Sequence, residues 1–394
     1  MIIVLITCII ILLLNIIMYR SKCKYIEMRL VETEIGKQKW VTIDEYNKMV
    51  SERDCMIPGF LDVTNLENPG VTFYQLVEER SMTYRMLRAV PKTPSQQVLI
   101  NKLVEDIDKT RITGIIKDLA ALNNRYAFSK TGEEASKYIY SYIKDIIKKY
   151  SIKGATSVEY VQHRFEDEQS KVSKQRSVIA RIKGTTISDE IVIFCAHLDS
   201  INTRNGGNKI TARAPGADDN ATGVSNVLEA FNIIVKNNIV PLRTVEFHLY
   251  AGEELGLKGS LEIAEQYKKN NKNVVAVLNL DMTGYTVDGK TTYILSGDKD
   301  YVDAELADLS KLLIPMYTKL IAKEGKCGYA CSDHASWSRF GFPTCCVSEG
   351  SPVDKNFNMA YHSAKDTIEN INISYSIEHC KFGLAFIIET ATIR

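Results

Sequence analysis

An excess of charge of either sign is missing from this chain. Its 394 residues include 49 basic and 48 acidic side chains, for a formal net charge of +1. That balance argues against nucleic acid or a polyanionic lipid surface as the main partner. Cysteine is sparse, with nine in the whole chain. That is too few for a disulfide scaffold, and the odd number leaves at least one thiol free in a monomer, the state we expect. No repeat period or low-complexity tract is visible. With 45% apolar and 25% charged residues, the composition is that of an ordinary globular protein. It excludes wholesale disorder, a collagen-like chain and a multi-span transporter. The length accommodates one large domain or two medium ones.

Long apolar runs are also scarce, and the longest stands at the start. Met1 to Met18 is nearly all aliphatic, interrupted by Thr7, Cys8 and Asn15, and Arg20, Lys22 and Lys24 follow at once. A spanning helix takes about 20 apolar residues and a signal-peptide core about 7–15. The run falls between them, so residues 1–19 read as a signal peptide or an uncleaved signal anchor, with membrane anchoring through residues 1–18 left open. By the positive-inside rule the basic flank would keep the rest in the cytoplasm. The cysteine argument given below outweighs it, and the chain is expected outside the cytoplasm, secreted or lumenal.

Residues from about 26 to 90 read poorly as a core. Charged runs such as Glu32 to Lys37 mix with scattered apolar residues, and Pro58-Gly59 and Pro69-Gly70 punctuate them. A satellite domain, a linker and a prosegment all fit.

Beyond residue 95 the periodicities sharpen. Thr131 and Glu134 have capping-box spacing, and Ala135, Ile139, Ile143 and Ile146 continue as a helix face. Val178, Ala180 and Ile182 alternate, as in a strand with one buried face. Ile191 to Ala196 is continuously apolar, the mark of a strand covered on both faces. Further strands are expected over 245–250, 274–280, 293–295 and 344–347, and further helices over 224–234, 261–268, 304–320 (broken at Pro315) and 377–391. This alternation predicts an α/β fold with a mainly parallel, mixed central sheet and helices on both faces. Ligands of such sheets bind outside the carboxyl ends of the strands.

Acids and imidazoles gather at those ends. His197 follows the covered strand, and Asp199, two residues on, can hold its ring as carboxylates do behind metal-bound histidines. Asp218-Asp219 precedes a helix, where Asp218 also fits an N-cap. Glu253-Glu254 follows one strand and Asp281 ends another. A buried Asp281 carboxylate would cost several kcal/mol unless paired. Imidazole and carboxylate together suit zinc. Periodicity does not choose between His334 and His362 as the second imidazole; His163, His248 and His379 read as structural, in a strand, a strand and a helix.

These residues stand within a longer set of matches. Ala196-His-Leu-Asp-Ser200, Ala214-Pro-Gly-Ala-Asp-Asp219, Ala251-Gly-Glu-Glu-Leu-Gly256, Leu280-Asp-Met-Thr283, the stretch Cys327 to Trp337, and Tyr361-His362 occur in one order. From about residue 114 onward the chain thereby resembles the co-catalytic di-zinc aminopeptidases of the bacterial and fungal leucyl aminopeptidase type. The resemblance implies two zinc ions per chain held by His197, Asp219, Glu254, Asp281 and His362, with Asp219 bridging. It implies Glu253 as general base, Tyr329 as donor to the oxyanion, and peptides with free N-termini as substrates. It also implies a disulfide between Cys327 and Cys331, which favours an oxidising compartment. Trp40 to Thr42 and Phe60 to Thr64 resemble the prosegments of secreted fungal members, so residues 20–90 are expected to be the prosegment of a zymogen and 91–394 the peptidase domain.

Two departures concern the pocket. Cys345, Cys346 and Ser348 stand where the family places bulky apolar residues, and the segment from Ser351 to Asn358 is lengthened. The competing functions are a glutaminyl-cyclase-type zinc acyltransferase on the same fold, a carboxypeptidase relative and a non-catalytic peptidase-like binding module. The first uses one zinc, against which the five-ligand set argues. The second needs a basic clamp for the substrate carboxylate, and none is evident. The third would have lost ligands or base.

Overall fold

A computed structural model describes residues 27–34, 36–52, 59–67, 69, 90–150, 152, 154–167, 171–204, 207–297 and 301–391. The apolar run 1–18 therefore lies outside the described residues. Among those described, no helix is long and apolar enough to cross a membrane.

The body is built on a sheet of eight strands: β4 (Thr156–Val161), β5 (Ser177–Ile182), β6 (Ile187–His197), β7 (Arg243–Tyr250), β8 (Asn273–Leu280), β9 (Thr291–Leu295), β10 (Ile321–Gly325) and β11 (Thr344–Ser348). Their spatial order is β10-β9-β11-β8-β6-β7-β5-β4. The central strands β11, β8, β6 and β7 run parallel. The pairings β9–β11, β7–β5 and β5–β4 are antiparallel, which makes the sheet mixed as expected.

Strand β6 shows why its sequence reads as one apolar run. Val192, Phe194 and Ala196 join a core shared with Val224 to Val235 and Phe382 to Ile388 on one face; Ile191, Ile193 and Cys195 join Leu261, Ala264 and Trp337 on the other. β5 differs from the expected half-buried strand. Val178, Ala180 and Ile182 face the first core, but Ile179 also packs into the second.

The principal helices are α1 (Ile43–Ser51), α2 (Gln97–Val104), α3 (Lys109–Ala121), α4 (Lys130–Tyr150), α5 (Gly223–Lys236), α6 (Lys258–Lys269), α7 (Ala304–Tyr317), α8 (His334–Arg339) and α9 (Ile373–Ala391). Two helix boundaries differ from expectation. Ser129, not Thr131, caps α4: its Oγ accepts from the Gly132 N–H at 2.8 Å. Both hydroxyls are strong N-cap formers, and the helix starts two residues earlier than the Thr131–Glu134 spacing suggests. Helix α7 runs through Pro315 to Tyr317, because a proline this close to the end removes only one late hydrogen bond.

The described residues between 27 and 67 are better packed than their sequence suggests. β1 (Met28–Glu34) pairs on either side with β2 (Lys37–Thr42) and β3 (Leu61–Asp62), all antiparallel. Thr42 and Glu45 form a capping box at α1. Leu30, Leu61, Val63 and Leu66 enter the core that covers the second face of β6. The apolar residues look scattered in sequence because their partners lie on the peptidase body. Tyr46 donates to the Leu255 carbonyl at 2.7 Å, and the Asp62 N–H to that of Gly256 at 3.0 Å. Two buried ion pairs, Asp62–Lys258 and Glu32–Arg339, complete the junction. Asp62→Ala would strand the Lys258 ammonium. Breaking a buried pair from one side costs about 3–5 kcal/mol, and the urea midpoint is expected to fall accordingly.

Candidate metal centre

Six of the candidate side chains converge at the carboxyl edge of β6, β7 and β8. His197 is the last residue of β6, Glu253 and Glu254 form a short 3-10 turn beyond β7, and Asp281 follows β8. Asp219 comes from the turn before α5, and His362 from the loop after β11. Such edges leave strand-terminal side chains clear of the ladder, so residues far apart in sequence can share one point.

The donors form three overlapping groups, one of them His197, Glu253 and Glu254, and the other two share one carboxylate. His197, Asp219 and Asp281 offer ligand atoms within 4.8 Å of one another, and so do Asp219, Glu254 and His362. His197 Nε2 is 3.0 Å from Asp219 Oδ1 and 3.3 Å from Asp281 Oδ1. His362 Nε2 is 3.1 Å from Asp219 Oδ2 and 2.9 Å from Glu254 Oε2. Asp219 thus presents one oxygen to each side.

The electrostatics call for positive charge. Burial alone would lower His362, but the Glu254 and Asp219 carboxylates push it up to about 10. His197 is likewise raised, against burial, by Asp281 and its other carboxylate neighbours. Burial pushes Glu254 up to about 8, with His362 opposing. Asp219 is held low, despite burial, by the two imidazoles. A buried set of two imidazoles and three carboxylates that draws protons onto its histidines fits one or more divalent cations, and the N/O donors suit zinc.

The surrounding residues hold this set in place. Asp199 acts differently from the simple expectation. Its backbone carbonyl lies 3.2 Å from His197 Nδ1, while its carboxylate oxygen is 3.7 Å away. The carboxylate instead accepts the N–H groups of Glu253 and Glu254, at 3.0 and 3.1 Å. Asp366 does the same for Asp218 and Asp219, at 2.9 and 3.0 Å. Asp218 points away from the donors, accepting from Gly284 N–H and Asn358 Nδ2.

His334 opens α8 and belongs to none of the donor groups. His163 stands in the loop after β4 rather than in a strand, with Nδ1 3.0 Å from Glu262 and Nε2 2.7 Å from Ser177 Oγ. Sequence reasoning missed Asp366 and Arg125, which lie in loops with no periodicity to mark them.

A cavity opens beside the donors, lined by Asp219, Glu253, Asp281, Tyr329 and His362 at one end. Cys327 and Cys331 form a disulfide flanking Tyr329. Met282, Leu295, Cys346, Ser348 and Phe357 line the remainder. Of the pocket substitutions, Cys346 and Ser348 face the cavity. Cys345 turns to the opposite face of β11, 3.3 Å from Ser310 Oγ, as strand alternation requires. The segment from Ser351 to Asn358 supplies Pro352 and Phe357 to the wall.

A mixed sheet covered on both faces, with this donor set at its carboxyl edge, suits a metal-dependent hydrolase. Residues 177–386 match the model of peptidase family M28. A probable leucine aminopeptidase of Arthroderma otae is 36% identical over 366 residues, covering 92% of this chain and 90% of its own. The chain belongs to peptidase family M28. The crystal structure of LapB from Legionella pneumophila superposes with a TM-score of 0.75 at 26% identity, over 92% of this chain and 99% of that one. A zinc aminopeptidase from Bacillus subtilis shares the fold at a TM-score of 0.55 and 16% identity, over 73% of this chain and 96% of its own.

Proposed function

We propose that this protein is a zinc aminopeptidase that removes the N-terminal residue from peptides with a free α-amine, using two zinc ions per chain. The observation that carries the reading is Asp219, whose two oxygens serve two donor groups beside Glu253. His197 and Asp281 would complete one zinc site, and Glu254 and His362 the other. Zinc there would supply a Lewis acid, a water acidic enough to attack at neutral pH, and an acceptor for the free amine.

The remaining work falls to the chain. Glu253 takes a proton from the attacking water as its oxygen bonds to the scissile carbonyl carbon. It then gives that proton to the amine nitrogen as the C–N bond breaks. Tyr329 donates its hydroxyl hydrogen to the oxyanion. Met282, Leu295 and Phe357 offer apolar walls for an uncharged side chain, with Cys346 and Ser348 in place of bulkier groups. The disulfide suits an oxidising compartment, so we assign the enzyme to the secretory lumen or the exterior.

The test combines metal analysis with paired substrates. Two zinc ions per active chain are expected, with release of one residue at a time from free-amine peptides. N-acetylated peptides should resist, because acetylation removes the amine lone pair. Equal cleavage of blocked and free peptides would refute the exopeptidase reading.

A further inference from the structure

We propose that Arg125 is the positioning residue that fixes the turn bearing the shared carboxylate, Asp219, against the strand end that bears His197. It lies between α3 and α4 and is completely buried. Its guanidinium donates to four backbone carbonyls. Nε reaches Leu198 at 2.7 Å, Nη1 reaches Pro215, and Nη2 reaches Gly216 at 2.8 Å and Asp219 at 3.4 Å. Leu198 directly follows His197, and Asp219 is the shared carboxylate. One rigid fork therefore spans the strand end that carries one ligand and the turn that carries the other.

The fork is itself anchored. The Arg125 N–H donates to Ser200 Oγ at 2.9 Å, and its carbonyl accepts from Gln175 Nε2 at 2.8 Å. Ser200 Oγ in turn donates to the Ala214 carbonyl at 2.8 Å. The turn wraps closely around the guanidinium. A Cβ on Gly216, which has φ +55°, would stand 2.6 Å from Nη2.

A buried cation whose hydrogen bonds go to neutral carbonyls is costly unless charge lies nearby. Asp366, Asp219, Asp199 and Glu254 supply that charge at longer range. The arrangement uses what distinguishes arginine, a planar set of donors with fixed directions. Lysine offers one point charge and cannot hold Leu198 and the 215–219 turn together.

The inference rests on the reading of the site as a zinc centre. It is tested with Arg125→Lys and Arg125→Gln in the full chain, using zinc alone against a chromophoric chelator, together with kcat and KM at saturating zinc. Wild-type protein that binds no zinc would sink the metal reading itself, which separates the two failures. Both variants are expected to weaken zinc binding at least about tenfold, as loss of residues supporting metal ligands does. They should also lower kcat at saturating zinc with little change in KM. Wild-type zinc affinity and kcat in Arg125→Lys would overturn the proposal, since charge alone would suffice. A lowered melting temperature with unchanged zinc affinity and kcat would reduce Arg125 to a structural role and overturn it equally. Should neither variant fold, Ser200→Ala removes only the anchor, and zinc affinity unchanged in that variant would refute the clamp.

Discussion

Glu253→Gln is expected to lower kcat by about 10²–10⁴-fold, the usual worth of general acid–base catalysis, with zinc content unchanged. Glu253 is buried, and its backbone N–H is fixed on Asp199 Oδ1 at 3.0 Å. It lines the cavity together with Asp219 and Tyr329. Glutamine keeps the shape and leaves the backbone N–H on Asp199, but cannot carry a proton between water and amine. KM should move little, because it reports ground-state contacts when chemistry is slow. Glu253 also lies within ligand distance of His197 and Glu254. Stopped-flow turnover alongside elemental analysis distinguishes the roles. Loss of zinc from Glu253→Gln would make Glu253 a ligand, and wild-type kcat would make it a bystander.

Asp219→Asn should do more damage still. The amide has one oxygen to offer, no charge, and an NH₂ group aimed at a site that needs an acceptor. One of the two donor groups loses its shared member, and the donor set loses one of its negative charges. Zinc content is expected to fall below two per chain, and kcat at least as far as in Glu253→Gln. Activity that returns fully when excess zinc is added to Asp219→Asn would show that no bridge is required.

How much of this was legible depended on whether a residue's partners are local. Strand β6 announced itself because both faces are covered, and His197 because it ends that strand. Asp219, Glu254 and Asp281 could be placed at strand ends or adjoining turns for the same reason. The choice between His334 and His362 could not be made from periodicity, since each sits at a loop boundary and only the assembled edge distinguishes them. Arg125 and Asp366 were illegible because their partners are backbone groups about 75–150 positions away, carbonyls for the first and N–H groups for the second, and every residue type but proline offers both. The 27–67 segment was misread as weakly cored for a related reason. Its buried residues pack on one another and also on the body, where Leu255, Lys258 and Arg339 are polar partners far along the chain.

That junction bears on how the enzyme would look on a gel. The segment is held to the body by core packing, backbone hydrogen bonds and two buried ion pairs, none of which needs the peptide chain between residues 67 and 90 to be intact. A protease cut there would yield two bands under denaturing conditions and one particle by size-exclusion chromatography. Electrophoretic mass alone would then report maturation without reporting departure. Actual release of the fragment would leave Lys258 and Arg339 without their carboxylates, and the body would elute as a smaller particle.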